Sequence, residues 1–395
     1  MVNLGASGGN YALGQKEKLL PQEEMLEVGK QQKELSIGVP KESQEDENRI
    51  PITPLAVDLL INNGHKVLIE GNAGKGANFS DHEYSEVGAG IVHSKEEIFK
   101  CDIILKTSPF TLEEIEMLQG KQTVFSSVHA KSQPEEYVRK LMQKRITAVA
   151  FEYLKDRHGN HPIVRSMSEI GGTTSVLIAS EYLSNVHNGK GEMLGGITGV
   201  TPTDVIILGS GTAAECAVRT AMGLGARVKV FDTSIHRLRQ LQLNIGQRIF
   251  TSALQPKVLA KSLRSADVVI GALTLVDTKH GFLVPEDMIR NMKKNSVIID
   301  ISIDQGGCFE TSELTSHSNP VFIKHGVVHY CVPNIASRVA RTASYALSNI
   351  LSQVLIDIGN AGGLKQLIKE DLGVRSGVYI YNGILTNSFI GALFN

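Results

Sequence analysis

The chain has 395 residues, enough for two substantial hydrophobic cores rather than one. Its 40 basic and 41 acidic residues leave a formal net charge of −1, so no long-range field gathers nucleic acid or an anionic membrane surface, and neither is expected as a partner. No apolar run approaches the ~18 residues needed to cross a bilayer, and the first thirty residues lack the hydrophobic core of a secretory signal. The four cysteines, Cys101, Cys216, Cys308 and Cys331, are widely spaced without a CxxC pair, which predicts buried thiols in a reducing, cytoplasmic setting.

Residues 1–34 open Gly/Ser/Asn-rich and continue as LLPQEEMLEVGKQQKEL. They read as an appended arm, either frayed or docking a short helix through Leu19, Leu20, Met25, Leu26 and Val28. From Leu35 a strand and helix rhythm begins: SIGVP, a loop to Arg49, TPLAVDLLINNG ended by Gly64, KVLIEG, then DIILK, QTVFSS and ITAVAFE. Such alternation predicts an α/β domain with a mostly parallel sheet. A second series starts with a long helix near 168–184 and passes through ADVVIGAL (266–273) and SVIIDISI (296–303) to VVHYCV (327–332). The helical segment after Asn334, ARTASYALSNILSQVLIDIG, is too short for a third domain and is expected to return to the first.

The most informative stretch is 204–232, DVIILGSGTAAECAVRTAMGLGARVKVFD. Residues 205–208 form a β-branched run suited to a strand buried on both faces. Gly209 permits a sharp bend, Gly211 lets backbone approach a diphosphate, and Ala214 is the third small position where helix meets strand. A helix from Thr212 points its unpaired N–H groups at that place. Gly225 closes the helix, 227–231 is the next strand, and Asp232 ends it about 20 residues beyond the glycines. A carboxylate there accepts bonds from ribose hydroxyls and repels a 2′-phosphate, so NAD is the expected cofactor. The fold expected is α/β, with two doubly wound Rossmann-like domains: residues 35–165 and 341–395 are assigned to a discontinuous first domain and 166–340 to the NAD-binding domain.

Three further residues occupy positions where chemistry is done. Arg49 ends a loop leading into a helix, where a guanidinium either grips a carboxylate or pairs with one of four nearby acids. His129 follows the QTVFSSV strand, where an imidazole shuttles a proton or serves as a hydrogen-bonded structural group. Asp304 emerges from the apolar SVIIDISI run before QGGC, as a general base with raised pKa or as a cap on the turn. His158 and His161 lie in a Gly/Pro turn without ligand partners at suitable spacing, so no metal is expected.

Several segments together resemble the alanine dehydrogenase and nicotinamide nucleotide transhydrogenase family, over nearly everything except the arm. They are IGVPKES…ENRIPITP, DIILK, SMSEI (166–170), GSGTAAE (209–215), DISIDQGGCFE (300–310) and HYCVPNIASRVARTASYALSN (329–349). The resemblance implies reversible oxidative deamination of L-alanine with NAD and water to pyruvate and ammonium, in a homo-oligomer, a hexamer by likeness, with residues 35–165 and 341–395 as the catalytic domain and the substrate in a cleft between it and the NAD-binding domain. It further implies that Arg49 holds the substrate carboxylate, that His129 and Asp304 are the catalytic acid and base, and that Asp232 binds the ribose. Gly209 and Gly211 would hold the diphosphate, Ser168 a cofactor phosphate, and Asn334 with Ile335 the nicotinamide wall. One departure stands out: where alanine dehydrogenases carry a substrate-binding lysine, this chain reads KTSPF and places Ser108. Ser108 takes that substrate-binding position, and Lys106, which shares its face in an extended chain, and Lys131, two residues beyond His129, are further candidates for substrate binding. The departure also admits a transhydrogenase-like NAD-binding subunit, or an NAD(H)-binding regulator with impaired catalysis.

Overall fold

The structure, a computed structural model, describes residues 32–273 and 283–393; most of the predicted arm lies outside the described residues. The first run of strands is β1 (Ser36–Val39), β2 (Lys66–Glu70), β3 (Gly90–Val92), β4 (Ile103–Leu105), β5 (Thr123–Ser126) and β6 (Thr147–Ala150). The second is β7 (Asp204–Leu208), β8 (Arg227–Asp232), β9 (Phe250–Ala253), β10 (Val268–Gly271), β11 (Val297–Asp300), β12 (Val321–Lys324) and β13 (Val327–Tyr330), and the chain ends with β14 (Val378–Tyr381) and β15 (Ile384–Leu385). They form an eight-stranded sheet in the order β15-β14-β6-β5-β4-β1-β2-β3 and a seven-stranded sheet in the order β12-β13-β11-β10-β7-β8-β9. Both sheets are mostly parallel; β14 and β15 are antiparallel in the first and β12 in the second.

Central strands such as β4, β6, β7, β10 and β11 are buried at every position, the signature of parallel strands covered by helices on both faces. One face of the first sheet packs Val57, Leu60, Leu347, Leu351 and Leu355, and the other Phe99, Ile115, Tyr137 and Leu141. The second sheet is flanked by Val176, Ala179 and Val218 on one side and by Leu259, Leu263 and Met292 on the other.

Two long helices join the sheets. Pro162–Leu183 starts earlier than its apolar pattern alone suggests, because Pro162 has the fixed φ favoured in a first turn. Its Gly172 lies so close to the next domain's helix, Thr212–Gly223, that an added Cβ would stand 2.1 Å from the Ala213 carbonyl. Ala340–Asn360 buries Ala343, Leu347, Leu351 and Leu355 at one-turn spacing against the first core. Around its start, Ser337, Ser344 and Ser348 accept hydrogen bonds from the backbone N–H groups of Asn48, Ile50 and Thr53 at 2.8–2.9 Å.

Two expectations are corrected. The strand expected over 296–303 stops at Asp300, because that buried carboxylate accepts from the N–H groups of Ser302 (3.2 Å) and Cys308 (2.8 Å) and from the Ser312 hydroxyl (2.7 Å), curling the chain into a tight turn. Cys101, Cys308 and Cys331 are buried free thiols, whereas Cys216 is only half-buried on the helix Thr212–Gly223.

Candidate active site

Each sheet reverses its strand order once, between β7 and β10 in the second and between β1 and β4 in the first. In open α/β sheets, ligands lie at such a reversal, beyond the carboxyl ends of the strands. At the second reversal Gly209 has φ +111°, and an added Cβ would sit 2.4 Å from the Ala272 carbonyl, so glycine is needed for the turn itself. Gly211 differs: a Cβ there meets nothing within 4 Å, and this open space lies at the N-terminus of the helix Thr212–Gly223. The arrangement fits a diphosphate held by backbone N–H groups. Asp232 is buried at the end of β8, accepting from the Ser210 hydroxyl (2.6 Å) and the Ser234 N–H (2.7 Å). These bonds fix its carboxylate and leave lone pairs for ribose hydroxyls.

The helix Pro162–Leu183 carries Ser168, which is half-buried. Gly171, one turn on, packs against Ile335, which is largely buried. Asn334 presents its side-chain amide to the first domain, donating to Glu47 at 2.9 Å, and its carbonyl contacts the His317 imidazole at 2.8 Å.

Facing it are the strand ends of the first sheet. Arg49 follows β1 and makes a bidentate pair with Glu47, Nε at 2.8 Å and Nη2 at 2.6 Å, while Nη1 points to the Met167 sulfur at 3.4 Å. Burial pushes the Glu47 carboxyl up, but the adjoining guanidinium brings it below the usual carboxylate range; Glu47 in turn raises Arg49 against its own desolvation. The pairing with a nearby acid and the placement at a strand end, which looked like alternatives, hold together here because the pair is buried.

His129 follows β5 with φ 43° and ψ 52°, the left-handed region sparsely used by non-glycine residues. Glu152, after β6, holds it there: one carboxylate oxygen accepts from the N–H groups of Val128 (2.8 Å) and His129 (3.3 Å). The imidazole is exposed. Asp304 lies in the turn after β11, in the short 3-10 helix Ile303–Gln305. Its side chain opens to solvent, yet the surrounding loop desolvates the carboxyl and raises its pKa, with His129 near enough to oppose that rise. Arg49, His129 and Asp304 therefore stand at the facing carboxyl ends of the two sheets.

Lys106 and Ser108 are engaged within the protein. Lys106 is fully buried, and its ammonium donates to Ser43 (2.8 Å), the Pro109 carbonyl (3.2 Å) and Glu114 (2.7 Å). All three protons are taken, so the expectation that Lys106 reaches the substrate is corrected: it braces the loops after β1 and β4. Ser108 is 2% exposed and donates its hydroxyl to Glu42. Sequence reasoning missed Glu42, Glu47, Glu152 and Asp300; the acid-rich KESQEDEN run before Arg49 was the only signal, and it does not distinguish buried from solvated carboxylates.

Two mostly parallel α/β sheets, with a glycine turn and an open helix N-terminus at the reversal of one and Arg49, His129 and Asp304 in the loops after β1, β5 and β11, fit a two-domain dehydrogenase. Residues 38–171 match the alanine dehydrogenase/PNT N-terminal domain and residues 175–388 the C-terminal domain. An alanine dehydrogenase of Methanococcus maripaludis is 37% identical over 352 residues, covering 89% of this chain and 94% of the relative. Alanine dehydrogenase 2 of Staphylococcus aureus is 36% identical over 361 residues, 91% of this chain and 96% of the relative. A solved L-alanine dehydrogenase superposes with a TM-score of 0.84 at 34% identity, over 91% of this chain and 98% of that one. A transhydrogenase from Sinorhizobium meliloti shares the fold at a TM-score of 0.75 and 23% identity, over 89% of this chain and 99% of that one. The chain belongs to the alanine dehydrogenase/PNT family of NAD-dependent dehydrogenases.

Proposed function

We propose that this protein catalyses the reversible NAD-dependent oxidative deamination of L-alanine to pyruvate and ammonium. Two observations support the reading: Asp304, after β11, is close enough to feel the His129 charge after β5, and Glu47, which holds Arg49, accepts a hydrogen bond from Asn334 at 2.9 Å. Gly209, Gly211 and the helix N-terminus hold the diphosphate, Ser168 a phosphate, Asp232 the adenosine ribose, and Asn334 with Ile335 the nicotinamide. When bound, NAD supplies the hydride acceptor.

Arg49 has Nε and Nη2 committed to Glu47 and offers its remaining edge to the substrate carboxylate. The substrate ammonium must lose a proton before the Cα–H bond can break as hydride, and His129 takes it. Water then adds to the resulting iminium. Asp304, its pKa raised by local desolvation, takes a proton from that water and returns it to nitrogen, then takes the remaining hydroxyl proton as the carbinolamine collapses to pyruvate and ammonia and passes it to the ammonia, which leaves as ammonium. On this reading the enzyme acts in the cytoplasm as a homo-oligomer, a hexamer, as the resemblance to the family implies.

The engagement of Ser108 with Glu42, where the family carries lysine, favours one other reading, an NAD(H)-binding regulator without turnover. NADH formation measured across a panel of amino acids at alkaline pH decides between them. Turnover with L-alanine is expected; NADH binding with no turnover on any amino acid supports the regulator. Hydride exchange only between nicotinamides, with a membrane partner present, points to a transhydrogenase subunit.

A further inference from the structure

The strand reversal of the first sheet, between β1 and β4, is bridged by one side chain. Glu42, just beyond β1, reaches across to the end of β4, where Oε1 accepts from the Thr107 N–H at 2.5 Å and Oε2 from the Ser108 N–H at 3.3 Å and the Ser108 hydroxyl. The sheet order puts β4 between the strand that leads to Arg49 and the strand that leads to His129. Glu42 is thus at the ligand-binding reversal, between the two residues assigned to substrate.

The charges around it are almost all paired. Glu47 is matched by Arg49, and Glu114 by Lys106 and Lys95 at 2.7 and 2.8 Å. Among the described residues no Lys, Arg or His nitrogen lies within ion-pair distance of Glu42, whose bonds come only from neutral donors. The charged groups facing it are Glu47 and Arg49 from its own loop and Lys106 from the end of β4. Burial lifts its pKa to about 7, with Lys106 opposing the rise and Glu47 adding to it. A half-buried carboxyl without a counter-ion, set in a cleft, is a group that a cationic ligand completes.

We propose that Glu42 receives the ammonium group of the amino-acid substrate, so that Arg49 and Glu42 together read the two charges of the zwitterion. This deepens the proposed function and rests on its premise that the cleft takes an amino acid. An ammonium brings a positive charge and N–H donors to oxygens that still have lone pairs to give. The corresponding keto acid brings neither, and its carbonyl oxygen is repelled by the carboxylate. Ser108 is essential to this polarity: a lysine at 108 would put an ammonium of the protein itself against Glu42 and satisfy it in advance. The serine leaves that place to the substrate.

The test is ligand binding to the enzyme–NADH complex, followed by NADH fluorescence, with L-alanine or with pyruvate free of ammonium, so that neither mixture turns over. In Glu42→Gln, L-alanine is expected to bind about 10-fold or more weakly, the loss of one charge-assisted interaction, while pyruvate changes less than about twofold by the same account. The wild-type affinity for L-alanine should fall as pH drops through 7, and the Gln variant should lack that inflection. Ser108→Lys should weaken L-alanine and tighten pyruvate, and it decides the matter if Glu42→Gln does not fold. Equal weakening of both ligands by Glu42→Gln, no change in either, or an unaltered preference in Ser108→Lys overturns the proposal. If wild type binds L-alanine without turning it over, the proposed reaction fails while the binding ratio still reads Glu42. If L-alanine does not bind, the amino acid from the panel that does is compared with its own keto acid, and binding of none overturns the proposal.

Discussion

Replacing Glu47 by Gln perturbs the pair that holds Arg49, the proposed ligand of the substrate carboxylate. The Glu47 carboxylate accepts four hydrogen bonds: from Arg49 Nε (2.8 Å), Nη2 (2.6 Å) and N (3.0 Å), and from Asn334 Nδ2 (2.9 Å). If the amide oxygen of Gln replaces Oε1, its NH₂ group faces two donors, Arg49 Nη2 and Asn334 Nδ2, and Arg49 loses its counter-ion. Removing one partner of a buried pair costs roughly 3–5 kcal/mol. Glu47 and Arg49 side chains are only 3% and 13% exposed, but Gln keeps two of the four bonds, so a loss of about 2–3 kcal/mol is expected. Urea unfolding should show it as a midpoint lower by roughly 1 M. Because the guanidinium is no longer pinned, KM for the amino acid should rise about 10-fold, equivalent to ~1.4 kcal/mol, with a smaller change in kcat. The double replacement Glu47→Leu with Arg49→Met should recover most of the stability without recovering substrate binding. A Glu47→Gln enzyme with wild-type midpoint and KM would refute the reasoning.

Asp304→Asn should lower turnover by roughly 100-fold or more while NADH binding stays within about twofold, because the amide keeps the shape but cannot take the proton; full activity would remove Asp304 from the mechanism. Asp232→Ala should weaken NAD binding and narrow the preference over NADP, measured by titration with both, since the carboxylate that meets the ribose is lost. In the folded chain Glu42 keeps its proton up to about 7, whereas unfolded it titrates in the ordinary carboxylate range. The folded state therefore binds more protons between those values, and this group's contribution to stability is full at the acid end and lost as pH rises toward 7. The stability of wild type relative to Glu42→Gln should fall as pH rises from 4.5 to about 7, and a constant or rising difference would refute the assignment.

The fold was legible because its signals are local. Residues 204–232 state strand, glycine turn, helix, strand and acid in order, and the buried strands read as unbroken apolar runs. Strand ends could be read for the same reason, which is how Arg49, His129 and Asp304 were singled out. What could not be read depends on partners distant in sequence. Glu42 and Glu47 stand in one acidic run, yet one holds the end of β4, 65 residues on, and the other meets Asn334, 287 residues on. Lys106 looks like a substrate ligand until Ser43 and Glu114 close around it. The end of β11 was misjudged because Ile301 and Ile303 continue its apolar pattern, while the bonds that turn the chain come from Cys308 and Ser312.

The serine contacts around the start of the helix Ala340–Asn360 bear on the order in which the molecule matures. The loop bearing Arg49 leans on Ser337, Ser344 and Ser348, each nearly 300 residues downstream. At ribosomal speeds of roughly 5–20 residues per second, that interval lasts about 15–60 s. The second sheet has all its strands by Tyr330 and can assemble within that time, whereas the loop bearing Arg49 lacks these acceptors for its three amides until residues 337–348 emerge. A nascent chain halted before Ser337 would hold a near-complete second sheet and an unfinished Arg49 loop.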